Sequence, residues 1–195
     1  MPHKDLVSWS AVISAYTQSG QSKQALLLFR NTQLSGLKPD EVSLVNWRTA
    51  CTLLGALDLG RWLHALSGRI RFDPLSLAWG TALVDMYAKR GCLRAALQVF
   101  EKMPRRNVLT WSSTLCGQAM HELGKEALDL FEKMKAITCL RPNEITFTGV
   151  LSACSHAGLV IKGLRHFLSM DEEYCVKPGI QHFGCMVELL GRSGL

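Results

Sequence analysis

The sequence has no run of about eighteen uncharged apolar residues of the kind a membrane-spanning helix needs. Its most hydrophobic region, residues 42–60, is interrupted by Arg48 and Asp58, and a transmembrane span is excluded. The opening Met1-Pro2-His3-Lys4-Asp5 is neither an apolar signal core nor an Arg- and Ser-rich transit segment. Close cysteine pairs are also lacking. Cysteines stand at 51, 92, 116, 139, 154, 175 and 185, and no two form Cys-x-x-Cys. An odd count without close pairs reads as reduced thiols packed as small apolar side chains. There is no Walker-type phosphate loop and no Gly-x-Ser-x-Gly elbow, which removes two large enzyme classes. His156 near Cys154 and His182 near Cys185 are isolated pairs, so no metal site is expected. Apolar residues make up 48% and charged residues 19%, a globular balance. The net charge of +6 favours a polyanionic partner without identifying one.

What is present is an internal repeat. Trp9-Ser10 opens a segment that runs to Ala25 and Phe29, and Trp111-Ser112 opens one that runs to Ala127 and Phe131, at identical offsets of 16 and 20 residues. The same frame starts again at Leu44, Gly80, Phe147 and Phe183. Eleven residues past each start stand Gly20, Gly55, Gly91, Glu122, Gly158 and Gly194, with Glu122 the exception. Sixteen past stand the small residues Ala25, Gly60, Ala96, Ala127 and Gly163, and twenty past stand Phe29, His64, Phe100, Phe131 and Phe167.

Each column has a physical meaning. Glycine closes a helix in the left-handed region, the small residue allows close helix approach, and the aromatic fills the space between helices. Apolar residues recur at helical spacing on both sides of the glycine, and Pro39, Pro104, Pro142 and Pro178 fall where a second helix must stop. One hairpin cannot bury its apolar face, so neighbours must stack. The expected fold is all-α, a right-handed α-solenoid of stacked helix-turn-helix repeats. Units are expected at 6–40, 41–76, 77–107, 108–143 and 144–179, with 1–5 the tail of a preceding unit and 180–195 a truncated last one. In that truncated unit Phe183, Met186, Val187 and Leu190 are expected to lack their usual cover.

The pattern resembles the pentatricopeptide repeat family, in its plant subclass that alternates standard, long and short units. The resemblance rests on Ala82-Leu83-Val84-Asp85-Met86-Tyr87-Ala88-Lys89, on Leu151-Ser152-Ala153-Cys154-Ser155-His156-Ala157-Gly158-Leu159, and on Phe183-Gly184-Cys185-Met186-Val187-Glu188-Leu189-Leu190-Gly191-Arg192. It covers essentially the whole chain. Units 6–40 and 108–143 match the standard type, 41–76 and 144–179 the long type, and 77–107 the short type. The tetratricopeptide repeat fits less well, since its Trp-x-x-Leu-Gly-x-x-Tyr pattern is absent.

The resemblance implies a partner, single-stranded organellar RNA, read one base per unit. In the family the reading pair is the residue after the first-helix marker and the last residue of the unit. Carried over by position, Ser10 pairs with Asp40, Thr81 with Asn107, and Ser112 with Asn143. Val7, Ala78 and Leu109 match the positions that sandwich a base. Hydroxyl plus Asp implies guanine and hydroxyl plus Asn implies adenine, in line with the acceptor-only carboxylate and the mixed amide. In the long units Val45 cannot bond a base, while Thr148 can but is paired with Gly179. The implied target is 5′-G-N-A-A-N-3′. Lys4, Lys38, Arg105, Arg106 and Arg141 lie near inter-unit turns, where phosphates would pass.

Relatives of this subclass serve C-to-U editing in mitochondria or plastids, with a zinc deaminase supplied in cis or in trans. The His-x-Glu and Pro-Cys-x-x-Cys elements of such a deaminase are absent. The chain is therefore expected to hold no catalytic residue, cofactor or metal, and to take no small-molecule substrate. The alternative reading is a protein-interaction scaffold within an editing complex, bound to editing cofactor proteins.

Overall fold

A computed structural model describes residues 6–21, 24, 27–28, 77–137 and 140–194. Among the described residues it is wholly helical, and no strand occurs. The helices are α1 (Leu6–Gln18), α2 (Leu77–Lys89), α3 (Leu93–Lys102), α4 (Val108–Met120), α5 (Gly124–Ile137), α6 (Glu144–Ala157), α7 (Val160–Glu172) and α8 (Ile180–Arg192). Helices α2/α3, α4/α5 and α6/α7 form successive hairpins, and α8 opens the next one.

The start and stop signals act as local chemistry requires. Asn107 and Asn143 cap α4 and α6. At the C-terminus of α6, Gly158 adopts φ 66°, and its N–H donates to the carbonyls of Cys154 and Ser155. Gly20, Gly91 and Gly194 also take positive φ, between 72° and 75°. Glu122, the exception in the glycine column, adopts the same conformation, with φ 64°. The turn geometry is thus kept where the residue is not glycine, at a cost to an L side chain of about 1–2 kcal/mol. Replacing Glu122 with glycine removes that strain but adds backbone entropy to the unfolded chain, leaving a net gain of about 0.5–1 kcal/mol. The Glu122→Gly chain is expected to melt about 1–4 °C higher by circular dichroism. A lower melting point would mean that the glutamate side chain contributes more than this turn requires.

The hairpins stack in two layers. The first helices α2, α4, α6 and α8 pack side by side, and each second helix lies between its own first helix and the next. The first-helix layer is close: a Cβ added at Gly117 in α4 would sit 2.5 Å from the Ala88 Cβ of α2. Further out, α5 and α7 leave a groove of about 250 Å³ lined by Leu128, Asp129, Glu132, Lys135, Lys162, Arg165 and His166.

Between layers, the aromatic of one unit meets the first-helix marker of the next. Phe100 meets Trp111 edge-on with ring centroids 4.8 Å apart, Phe131 meets Phe147 at 5.9 Å, and Phe167 meets Phe183 at 5.3 Å. Each such pair is worth about 0.5–1.5 kcal/mol beyond the area it buries. The two sequence columns are therefore one contact seen from its two sides. In the last unit, Met186 is buried beneath α8 and Leu190 is half-buried, contrary to the expectation that both lack cover. Of those four residues, the outward Phe183 (53% exposed) and Val187 (72%) remain uncovered. The reason is helical phase: Met186 and Leu189 point back onto α6 and α7, while Phe183 and Val187 share the far face.

Candidate base-reading edge

Parallel first helices stacked side by side place their N-termini along a single edge of the array, with the positive ends of their dipoles aligned. The residues singled out by the repeat frame collect at that edge. Asp40 lies outside the described residues, and for Ser10, Val7 and Ala78 the structure describes only their helical backbone in α1 and α2.

Asn107 and Asn143 sit in the same environment at two successive junctions. Asn107 Oδ1 accepts from the Thr110 backbone N–H at 2.9 Å and from the Thr110 hydroxyl at 2.8 Å, while the Asn107 N–H donates to Thr110 Oγ1 at 3.3 Å. Asn143 Oδ1 accepts from Thr146 N–H at 3.0 Å and from the Thr146 hydroxyl at 2.9 Å, and its own N–H donates back at 3.1 Å. These are reciprocal caps. They also fix the amide orientation, because a backbone N–H can only donate and the side-chain atom facing it must be oxygen. Each Nδ2 is therefore turned away from the helix, with no hydrogen bond among the described residues, and both asparagines are half-buried.

The hydroxyl partners are placed differently from a direct reader. Thr81 is 5% exposed and Ser112 is 0% exposed, both in the seam between first helices. Thr81 Oγ1 lies 2.6 Å from Thr110 Oγ1. Ser112 Oγ lies 2.8 Å from the Val108 carbonyl and 2.7 Å from Thr146 Oγ1, and its single hydrogen serves one of the two. At both junctions the threonine bonds both members of the pair, Thr81 with Asn107 and Ser112 with Asn143. Thr148 is half-buried and donates to the Glu144 carbonyl at 3.0 Å, with His182 Nε2 at 3.2 Å. His182 Nδ1 accepts the Gly179 N–H at 2.9 Å, so its proton resides on Nε2, directed at the Glu144 carbonyl 2.9 Å away.

Leu109 is 48% exposed beside Asn107. Ile145, in the matching position of the next unit and 47% exposed, completes a pair of apolar walls. The Leu109 column points to Ile145, but its unit ends in Gly179 and so offers no complete reading pair to draw attention to it. Beside it, Pro142, Asn143, Glu144, Ile145, Cys175, Val176 and Lys177 line an open groove of about 660 Å³.

Among the cations, Arg105, Arg141 and Lys177 are exposed near the caps. Arg106 is otherwise engaged. Its Nε and one terminal nitrogen donate to the Phe100 and Glu101 carbonyls at 2.6 and 2.8 Å, and its guanidinium lies 4.7 Å from the Phe100 ring centroid. It closes the C-terminus of α3, where the dipole favours a cation.

Two of the cysteines are poor nucleophiles. Burial, followed by the charges of Cys185 and Asp85, pushes the Cys116 thiol up to about 11, and burial does the same for Cys154. Both stay protonated, the unreactive form. Among the described residues no group of three or more His, Cys, Asp or Glu could hold a metal ion, and no helix is long and apolar enough to cross a membrane.

The family model described as PPR repeat matches residues 7–37, 81–108, 109–139 and 145–175. The pentatricopeptide repeat-containing protein At1g08070, chloroplastic, of Arabidopsis thaliana is 40% identical over 196 residues, covering 100% of this chain and 26% of its own length. The chain thus spans about a quarter of the curated relative. Among solved structures, the maize pentatricopeptide repeat protein PPR10 superposes with a TM-score of 0.70 at 22% identity, covering 97% of this chain and 27% of PPR10. PPR10 in complex with an 18-nt psaJ RNA element superposes with a TM-score of 0.58 at 18% identity, covering 97% of this chain and 31% of that one.

Proposed function

Because the chain belongs to the PPR repeat family, we propose that it binds single-stranded RNA along the aligned N-termini of its first helices, one base per unit. The observation that carries this reading is the repeated cap of Asn107 and Asn143, which turns an unspent amide donor outward at two successive junctions. A donor at that place suits N1 of adenine, while a second carboxylate oxygen, as Asp40 would offer, suits the N1–H and N2–H₂ of guanine. Leu109 and Ile145 would hold the base read by Ser112 and Asn143 between them. With the N-terminal unit toward the 5′ end, the target is 5′-G-N-A-A-N-3′. The standard-long-short rhythm of the units supports membership of the plant editing subclass. In that setting the chain would act in a plastid or mitochondrion as a specificity factor for RNA processing or C-to-U editing. A plastid-named relative and an RNA-bound fold neighbour agree with this setting. Its own part is recognition, with deaminase chemistry coming from elsewhere.

Base contacts to single strands are worth about 1–3 kcal/mol each, against about 4–15 kcal/mol of lost rigid-body freedom. Binding by three legible units is therefore weak and strongly salt-dependent. In a gel shift at low, stated salt, a 5′-GUAAU-3′ probe is expected to bind more tightly than one with either adenine changed to cytosine. Equal binding to both, or to neither, would favour a protein-interaction scaffold, for which the exposed apolar residues Ile161, Phe183 and Val187 would be the contact surface.

A further inference from the structure

We propose that Thr110 and Thr146 are positioning residues for base recognition, each locking the preceding asparagine so that only its donor face reaches the RNA. The inference rests on the RNA-reading function above. A threonine hydroxyl has one hydrogen and two lone pairs. In the Thr146 network the hydrogen goes to Asn143 Oδ1 at 2.9 Å, one lone pair accepts the Asn143 N–H at 3.1 Å, and the other accepts the single hydrogen of Ser112 Oγ at 2.7 Å, which is then not given to the Val108 carbonyl. Thr110 stands identically among Asn107 Oδ1 (2.8 Å), Asn107 N–H (3.3 Å) and Thr81 Oγ1 (2.6 Å). All of the hydroxyl's capacity is used, and both Thr110 and Thr146 are 0% exposed. The reading hydroxyls Thr81 and Ser112 are themselves buried, so their influence on the base passes through this threonine.

Where the last residue of a unit offers no amide or carboxylate, the middle group differs. Unit 144–179 ends in Gly179, and the corresponding place holds His182, whose Nδ1 accepts the glycine N–H and whose Nε2 proton goes back to Glu144. Unit 41–76 ends in Ser76 and is followed by Trp79, whose indole accepts no hydrogen bond. Units ending in Asp or Asn are each followed in that place by a hydroxyl: Ser43, Thr110 or Thr146. A cap alone explains the bonds of one helix start, but not why a shared hydroxyl joins both side chains of the same reading pair at two junctions.

The test uses the whole 195-residue chain and labelled RNA carrying 5′-GUAAU-3′, with guanine substituted at the third or the fourth base. Thr146→Val keeps the volume and removes the hydroxyl. Its adenine-over-guanine preference at the fourth base is expected to fall roughly five- to tenfold, the worth of one hydrogen bond. The third-base preference should be unchanged, and Thr146→Ser should retain both. Asn143→Asp, measured alongside, should reverse the fourth-base preference. If Asn143→Asp reverses it but Thr146→Val leaves it intact, or weakens all probes alike, the positioning role fails while the RNA reading stands. If Asn143→Asp moves nothing, the reading fails and the positioning role with it. Thermal melts of each variant separate loss of preference from loss of fold, and the serine variant keeps the test open should valine unfold the chain.

Discussion

Phe131→Ala is expected to cost about 3–5 kcal/mol of stability, the range for deleting a buried aromatic. Phe131 is 1% exposed and sits where three elements meet. Its ring meets Phe147 edge-on at 5.9 Å and His166 at 5.5 Å, and Lys135 Nζ stands 5.0 Å from its centroid. The lost contacts therefore join one hairpin, α4/α5, to the next, α6/α7. In a solenoid, stability is approximately a sum of unit terms and nearest-neighbour interfaces. Cutting one interface should consequently do more than lower the midpoint: urea unfolding followed by circular dichroism is expected to broaden or divide into two steps. Phe167→Ala provides the control, because its partner Phe183 is already 53% exposed and less contact area is at stake. If Phe131→Ala and Phe167→Ala proved equally mild, the aromatic-to-marker contact would not be the principal tie between units.

Asn107→Asp is the corresponding test of recognition. Asparagine and aspartate are equally good helix caps, and a carboxylate at the start of α4 also agrees with the helix dipole. One oxygen can keep the bonds from Thr110 while the second replaces the outward Nδ2 donor with an acceptor. The preference at the third base is thus expected to move from adenine to guanine. The adenine-to-guanine affinity ratio should change by roughly ten- to a hundredfold, since hydrogen bonds to charged groups are worth about 1.5–3 kcal/mol. Stability should stay within about 0.5 kcal/mol. Competition binding with the two probes reads the first effect and a thermal melt reads the second. An unchanged ratio at unchanged stability would sink the assignment of Asn107 as a reader.

The parts of this molecule legible in its sequence are those that depend on periodicity. Trp111, Phe131, Phe147 and the glycine column repeat because each unit makes the same contact with the next, and a repeated contact leaves a repeated letter. Glu122 shows the limit: its φ of 64° is forced by the turn it shares with Gly91 and Gly158, while the letter itself suggests an ordinary surface residue. For Asn107 and Asn143 the sequence points to base reading alone; the structure adds a helix cap, in a form that leaves the Nδ2 donor turned outward. The burial of Ser112 was not legible, because it depends on Thr146, 34 residues on and in another unit. Arg106 illustrates the same point for charge. A cation beside a turn fits a phosphate or a helix end equally well, and only the position of the Phe100 and Glu101 carbonyls decides between them.

The unequal spacing of the two layers has a mechanical consequence. First helices in contact at Gly117 and Ala88, with second helices parted by the groove between α5 and α7, make each hairpin a wedge, thin along α4 and α6 and thick along α5 and α7. Wedges stacked thin edge inward trace an arc, and the inside of an arc is shorter than its outside. The distance from one asparagine to the next is therefore set on the short side, where little compression remains, whereas slack is held on the outer side. Flexing such an arc alters the outer gaps first and the inner pitch least, so the spacing between neighbouring cap asparagines is the dimension this architecture best protects.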